Sequence, residues 1–532
     1  MAHSYTYIPY SDTGYFSKLA GNYTAGSKEL EAFMSFAPDA GGIDKAIKAR
    51  HAYPVDRQRL VTALNGQYAS LTTTDAVKHN IASLLGNNTY TITTAHQPNL
   101  MTGYLYFIYK ILHAIKLAEE LNTKYPDNHF VPVYYMGSED NDLEELGTFR
   151  FRGDNYTWDG NGQKGAVGRM DTASLKPMLQ ELFRFFGPTG KNCDDLQKMI
   201  TDAYQKQKTI GQATKHLVNE LFGRFGLVIL DPDDTLLKEA YIPVMEDELL
   251  NGNALGLVTA QTTLLEEKGY KSQIFPRPIN LFYLHHQIRE RIERQGDSWV
   301  VLNTDIVFNK EQLLSELHTH PERFSPNVAL RGMFQETILP DVAFIGGGAE
   351  VAYWLQLGSL FAHYRVFYPV ILLRQSVLWV SEQQSAMRQR SGLSVEQLFK
   401  QELTLINNYV NAHSQSDWHT TAEREEIAAI MTRLQHKAAT VDATLLPAAK
   451  AVLAGITTKL GNLEKKMLRA EKKKMEVQLS RISQARNSLF PNNSLQERTD
   501  NFLEYYLDNG PAFIDAVKEG IQPLSGKFMV IE

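Results

Sequence analysis

His96, Gln97 and Asn99 stand at the close of a β-type run from Thr91 to Ala95, just before a long helical stretch where Gly103 permits close backbone approach. A strand that delivers polar groups into a turn opening a helix is how an open α/β sheet builds a ligand site, because loop amides and helix N-termini there face an anion. His96 can hydrogen-bond a phosphate or carboxylate, or act as a general acid near neutral pH. Lys110, further along the same helical stretch, reads as a helix-face residue with a neighbouring carboxylate.

Three further strand ends carry similar groups. The run from His129 to Met136 leads into Gly137-Ser-Glu139-Asp140-Asn-Asp142-Leu-Glu144-Glu145, where crowded carboxylates raise one another's pKa. They suit a base for a substrate ammonium, a magnesium site or a hydroxyl acceptor, with decoration of a helix N-terminus as the plain alternative. Glu139 and Asp140 lie nearest the strand and, with His96 and Gln97, are the catalytic candidates. After the run from Gly226 to Leu230, Asp231 can accept from a sugar hydroxyl, and Asp233 or Asp234 can cap a helix. After Val342 to Ile345, the triplet Gly346-Gly347-Gly348 frees backbone amides for an anion, with Glu350 and Tyr353 early in the next helix. This loop has neither the dinucleotide nor the P-loop spacing. Arg331 and Gln335 precede that strand, and a guanidinium can hold a carboxylate bidentately. His285-His286 and the His318, His320 pair lack the third ligand of a catalytic zinc site.

The elements that must position these groups are four apolar runs, Tyr90 to Ala95, His129 to Met136, Gly226 to Leu230 and Val342 to Ile345, separated by helical patterns. That alternation predicts an α/β fold whose parallel sheet is covered on both faces. Val366 to Leu373 reads as a further buried strand. Residues 1–85 read as a helical part packed on the core and 86–380 as the core, with insertions near 148–180 and 270–325. Residues 381–490 read as helical and 491–532 as a C-terminal segment. Within 443–489, Leu453, Ile456, Leu460, Leu463, Met467 and Ala470 alternate steps of four and three, a coiled-coil seam, and the stripe resumes at Met475, Leu479 and Ile482 after a five-residue step. A helix packed on its own chain would show the same spacing. The lysines and arginines from Lys465 to Lys474 read as a solvated face.

With 532 residues, 43% hydrophobic, the chain can bury a large core in several domains. A net charge of -6 provides no global field for nucleic acid or anionic lipid, so neither is an expected partner. The one cysteine, Cys193, excludes an intramolecular disulfide and any multi-cysteine metal site and fits a reducing compartment. The N-terminus from Met1 to Tyr7 has no signal-peptide pattern, and the apolar runs are far shorter than a membrane span. A cytoplasmic location is expected.

Several of these pieces match one family. The Gln97 to Lys110 turn and helix, Glu139-Asp140-x-Asp142, Asn280-Leu-Phe, Thr304-Asp305-Ile, Arg331 to Gln356, and Leu489-Phe-Pro491-Asn492-x-x-Leu495-Gln496-Glu497-Arg498 with Asn501-Phe502 are collinear over nearly the whole chain. The chain resembles the cysteine-adding enzymes of bacillithiol biosynthesis. It departs from the family pattern at Asn141 and Thr148, where histidine is frequent, and at Gly347, where proline stands. The resemblance implies a Rossmann-like parallel-sheet core related to class I aminoacyl-tRNA synthetases, connective insertions, and a C-terminal α-helical coiled coil that forms a homodimer. It also implies the addition of cysteine to glucosamine-malate. Amide formation from a carboxylate is uphill in water, so an acyl-adenylate or acyl-phosphate route is expected, and with it ATP and Mg2+. On this reading His96 and Gln97 position phosphate or cysteine, with Asn99 and Gly103 in the same turn. Glu139 and Asp140, with Asp142, take an ammonium or amine. Arg331, Gln335 and the 346–348 amides, with Glu350 and Tyr353, hold the malyl carboxylates. Another amino-acid ligase or nucleotidyltransferase of the same fold, or a metabolite-binding coiled-coil scaffold, would share these features.

Overall fold

In the computed structural model, which describes residues 3–187 and 189–532, five parallel strands form the central sheet. Met1 and Ala2, with which the N-terminal reading begins, lie outside the described residues. The strands are β1 (Thr89–His96), β2 (His129–Met136), β3 (Val228–Leu230), β4 (Asp341–Gly346) and β5 (Val370–Leu373). Each is an apolar or β-branched run buried on both faces, as a helix-covered parallel sheet requires. Their order across the sheet is β5-β4-β1-β2-β3, all pairs parallel. The chain therefore works outward from β1 to one side and then restarts with β4 on the other. The crevice between β1 and β4 is the topological switch point of a Rossmann-like sheet, where such folds bind ligands.

Four helices bring charged side chains to the carboxyl ends of these strands: α1 (Tyr106–Lys124), α2 (Thr235–Glu239), α3 (Val328–Ile338) and α4 (Gly348–Trp354). Almost every side chain of α1 from Phe107 to Ala118 is buried, so this helix is a central support rather than a surface one. Its approach is set by Gly103, whose φ of 68° and ψ of -129° suit glycine, and by Asn501, whose side-chain amide donates to the Met101 carbonyl at 2.8 Å.

The chain forms two compact units, residues up to Trp379 with Ser494–Glu532, and Val380–Asn493. The first unit gathers more than the α/β core. The N-terminal part, read from sequence as helical, opens with the strand Tyr5–Pro9, which pairs antiparallel with Lys527–Ile531; that strand in turn runs parallel to Val377–Trp379. Short runs such as Tyr5–Pro9 have no local signal apart from their partner, which lies at the other end of the chain. The stretch near 270–325 carries a five-stranded antiparallel sheet in which Leu281–His285 and Ile288–Gln295 form a hairpin. The stretch near 148–180 carries the smaller hairpin Thr148–Phe151 and Asp154–Thr157.

The second unit is helical. Thr421–Val441 and Leu446–Lys474 are joined by a short link and pack on each other, so the apolar seam is met within the chain: Leu453, Ile456, Leu460 and Met467 are half-buried. Leu463 and Ala470 stay exposed. The helix ends at Lys474 and a new one, Glu476–Asn487, begins two residues on, at the point where the seam loses its register. No helix among the described residues is long and apolar enough to cross a membrane.

Candidate functional site

A cavity of about 1050 Å³ lies at the carboxyl ends of the central strands, lined by Ala95 and His96 at the end of β1 and Gln97 beyond it, Gly137, Glu139 and Asp140 after β2, and Gly347 to Glu350 after β4. Its size suits a nucleotide-sized ligand or two smaller ones. The wall is polarised. On the β4 and β5 side stand Lys110 from α1 and Arg374, just beyond β5; on the β2 side stand Glu139, Asp140 and Glu145.

The cationic side is built from buried pairs. Lys110, 3% exposed, donates to the Glu350 carboxylate at 2.5 Å and to the Ala95 carbonyl at 2.5 Å, tying α1 to the start of α4 across the switch point. Lys110 is thus a cavity residue, where the sequence suggested a helix face. Arg374 holds Glu497 bidentately, both contacts at 2.7 Å. Arg331 is different. Its Nη2 donates to the Tyr353 hydroxyl at 2.6 Å and its guanidinium lies 5.6 Å from the Tyr135 ring centre, but its Nη1 is buried without a protein partner.

His96 sits among these cations. Burial, and then the positive charges of Lys110, Arg374 and Arg331, hold its pKa well below the ordinary value, and its Nε2 is buried with no partner. The imidazole is therefore neutral at physiological pH. This corrects the expectation of a general acid near neutrality: the ring contributes a neutral hydrogen bond, not an imidazolium proton. Two buried, unpartnered nitrogens in a cation-rich wall fit a phosphate or carboxylate oxygen, since leaving such groups unmade is costly.

On the acidic side Gln97 donates to Asp140 at 3.3 Å, and Asp140 in turn accepts from the Asp142 amide at 3.2 Å. Burial raises the Glu139 pKa, opposed by the ion pair with Lys238 of α2. Burial and the neighbouring Asp142 and Asp140 raise Glu145. Asp231, after β3, accepts from Ser138 at 2.5 Å, and burial and Asp233 push its pKa up to about 7. It braces the β2 turn from behind, and only Pro232 of this segment reaches the cavity wall.

Several sequence candidates do other work. Asn99 and Gly103 pack on each other in the turn below the wall, a Cβ on Gly103 coming within 3.0 Å of the Asn99 Cβ. Asp142 caps the short helix Leu143–Leu146 by accepting from Glu145 at 3.1 Å. Gln335 is fully buried on α3 and donates to Glu336 at 2.9 Å. The Gly346 carbonyl accepts from the Arg374 amide at 2.8 Å, and the Gly347 amide donates to the Glu350 carboxylate at 2.8 Å, so that amide is already used. The wall also holds residues no local motif announced: Tyr15 to Ala20 from the N-terminal part, Arg289 from the inserted hairpin, Arg374, and Arg498 from the returning C-terminal segment. Of these, Arg498 alone lies in a stretch, Leu489 to Arg498, that the sequence singles out.

Fold and cavity define a Rossmann-like protein whose switch point is lined by Lys110, Arg331 and Arg374, with an acidic turn facing the same space. The particular family follows from comparison with known proteins. Residues 3–375 match the model for the bacillithiol biosynthesis BshC N-terminal Rossmann-like domain, and residues 377–532 match that for the BshC C-terminal coiled-coil domain. The chain is similar to proteins named "putative cysteine ligase BshC" from Flavobacterium johnsoniae (40% identical, covering 98% of this chain and 99% of the relative), Christiangramia forsetii (37%, 98% and 98%) and Cytophaga hutchinsonii (37%, 98% and 98%). The chain belongs to the BshC family of bacillithiol biosynthesis.

Proposed function

We propose that this chain is a ligase that joins the carboxyl group of cysteine to the amine of glucosamine-malate, forming bacillithiol. The observation that carries the reading is one cavity holding two buried, unpartnered nitrogens, His96 Nε2 and Arg331 Nη1, together with the carboxylates Glu139 and Asp140. Cysteine presents an ammonium and a carboxylate, and the second substrate an amine and two carboxylates, so both need such paired ends. Glu139 and Asp140 receive the ammonium or amine. Arg331 and neutral His96 receive carboxylate or phosphate oxygens, and the Lys110–Glu350 pair fixes the wall beside them. ATP with Mg2+, when bound, supplies the leaving group that makes the carboxyl electrophilic. Arg331 and His96, whose nitrogens are unpartnered, would hold its phosphates.

A cytoplasmic location and pairing of two chains through the helical hairpin complete the reading. Exposed Ile430, Leu434, Val452 and Leu463 on that hairpin support the pairing. The test is replacement of both His96 and Glu139 by alanine in cells lacking their own enzyme of this family. The expected result is loss of bacillithiol with normal protein levels; undiminished bacillithiol would refute the site.

A further inference from the structure

Glu139 reaches the cavity wall, yet the group that governs it does not. Lys238, 1% exposed on α2, is absent from the wall and points its ammonium at two acceptors, Glu139 Oε1 and the Phe324 carbonyl at 2.8 Å. It thereby links the turn after β2 to the inserted strand Phe324–Pro326. Of the other charges nearby, Asp233 is held bidentately by Arg169 at 2.6 Å, and Arg289, which bonds Asn141 at 2.9 Å, favours the Glu139 carboxylate less than Lys238 does. Lys238 is the direct ion-pair partner of Glu139 among the described residues, and it leaves Oε2 without a protein donor.

A buried carboxyl with no cation beside it takes up a proton and becomes a poor acceptor for an ammonium. Cysteine adds a reason why this matters. It carries its own amine, which would compete as nucleophile for any activated cysteine carboxyl; paired with a permanent carboxylate, that amine stays protonated and unreactive. We propose that Lys238 is a positioning residue that keeps Glu139 an oriented carboxylate for the cysteine ammonium, so that the enzyme distinguishes the amine it must silence from the amine it must acylate. This inference rests on the reading of Glu139 as a substrate contact. It adds the substrate group concerned and the residue that prepares its acceptor.

The experiment measures binding of cysteine and of N-acetylcysteine, which lacks the ammonium, to the full-length protein by calorimetry, in wild type, Lys238→Arg, Lys238→Met, Glu139→Gln and the Lys238→Met/Glu139→Gln double variant. Each pKa unit by which the carboxyl rises above the pH of the measurement corresponds to about a tenfold loss of affinity. Lys238→Met should weaken cysteine about tenfold or more while leaving N-acetylcysteine unchanged, and Lys238→Arg should restore most of the difference. The double variant should bind cysteine no worse than Glu139→Gln alone, because both changes act on one carboxylate. It also removes the uncompensated buried charge, so it carries the test if Lys238→Met does not fold. Equal weakening of both ligands, or losses that add in the double variant, would overturn the inference and show Lys238 to be a general brace. Discrimination that depends on Lys238 in a protein that never forms the amide would leave the inference standing and remove the ligase reading. Discrimination lost in Glu139→Gln but intact in Lys238→Met would do the reverse.

Discussion

Arg331 and His96 are where residue chemistry can be read most directly. Both present a buried nitrogen that lacks a protein partner, and a charged hydrogen bond is worth about 1.5–3 kcal/mol. Arg331→Ala should therefore weaken binding of the anionic substrate group about 10- to 100-fold, and Arg331→Lys should recover only part, since an ammonium lacks the planar fork that bonds the Tyr353 hydroxyl with one nitrogen and offers the other to an anion. Steady-state KM values for each substrate would show it; an unchanged KM for both would exclude Arg331 from contact. His96, held neutral by burial and three cations, titrates well below its ordinary value. The acid limb of kcat/KM should consequently not follow a group near pH 6.5, and a limb there that vanishes in His96→Gln would contradict the assignment. The types and spacing of His96, Gln97, Glu139, Asp140, Arg331 and Glu350 were visible because each adjoins an apolar run. Arg374 and Arg289 were not visible as wall residues, because nothing local marks which loop arginine a distant fold will turn inward.

The elements that carry these groups are stabilised by choices away from the cavity. Asp341 opens β4 and accepts from Thr91 and Thr93 of β1 at 3.0 and 2.9 Å, which locks the two strands flanking the switch point. Burial raises its pKa from 3.8 to about 7, and burial and Asp341 raise neighbouring Glu336 as well, against the opposing charge of Arg50. In the unfolded chain the Asp341 carboxyl releases its proton near its ordinary value, so between about pH 4 and about pH 7 the folded form binds more protons. Stability must then fall as pH rises through that window. Denaturant midpoints at about pH 5 and about pH 7.5 should show the fall, and Asp341→Asn should reduce it, the remainder coming from groups such as Asp231 and Glu336 that are raised too; an unchanged slope would mean that the Asp341 carboxyl is ionised when folded. Gly103 is the second such point: a Cβ there would meet Asn99 in a backbone conformation that side chains avoid, so Gly103→Ala should cost about 1–3 kcal/mol, read as a lowered Tm. The core strands were legible because fully covered parallel strands leave unbroken apolar runs. The sheet joining Tyr5–Pro9 to Lys527–Ile531 was not, because its pairing spans the whole chain and its strands are short.

For the whole molecule, the chain forms two compact units, and within the second the coiled-coil seam is satisfied in part by the chain's own Thr421–Val441 helix. Heptad spacing reports that a helix has a partner and is silent on which chain supplies it, which is why the seam was legible and its pairing was not. If two chains pair through the hairpin, sedimentation should give a dimer that Leu463→Lys with Val452→Lys dissociates; a wild-type monomer at micromolar concentration would remove that proposal. The central claim is the reaction itself, and one mass-spectrometric assay tests it: purified protein with cysteine, glucosamine-malate, ATP and Mg2+. A ligase of this kind must yield a thiol product whose mass is that of the two substrates less one water, formed together with AMP or ADP. Saturable binding of cysteine or glucosamine-malate with no condensed product would contradict it.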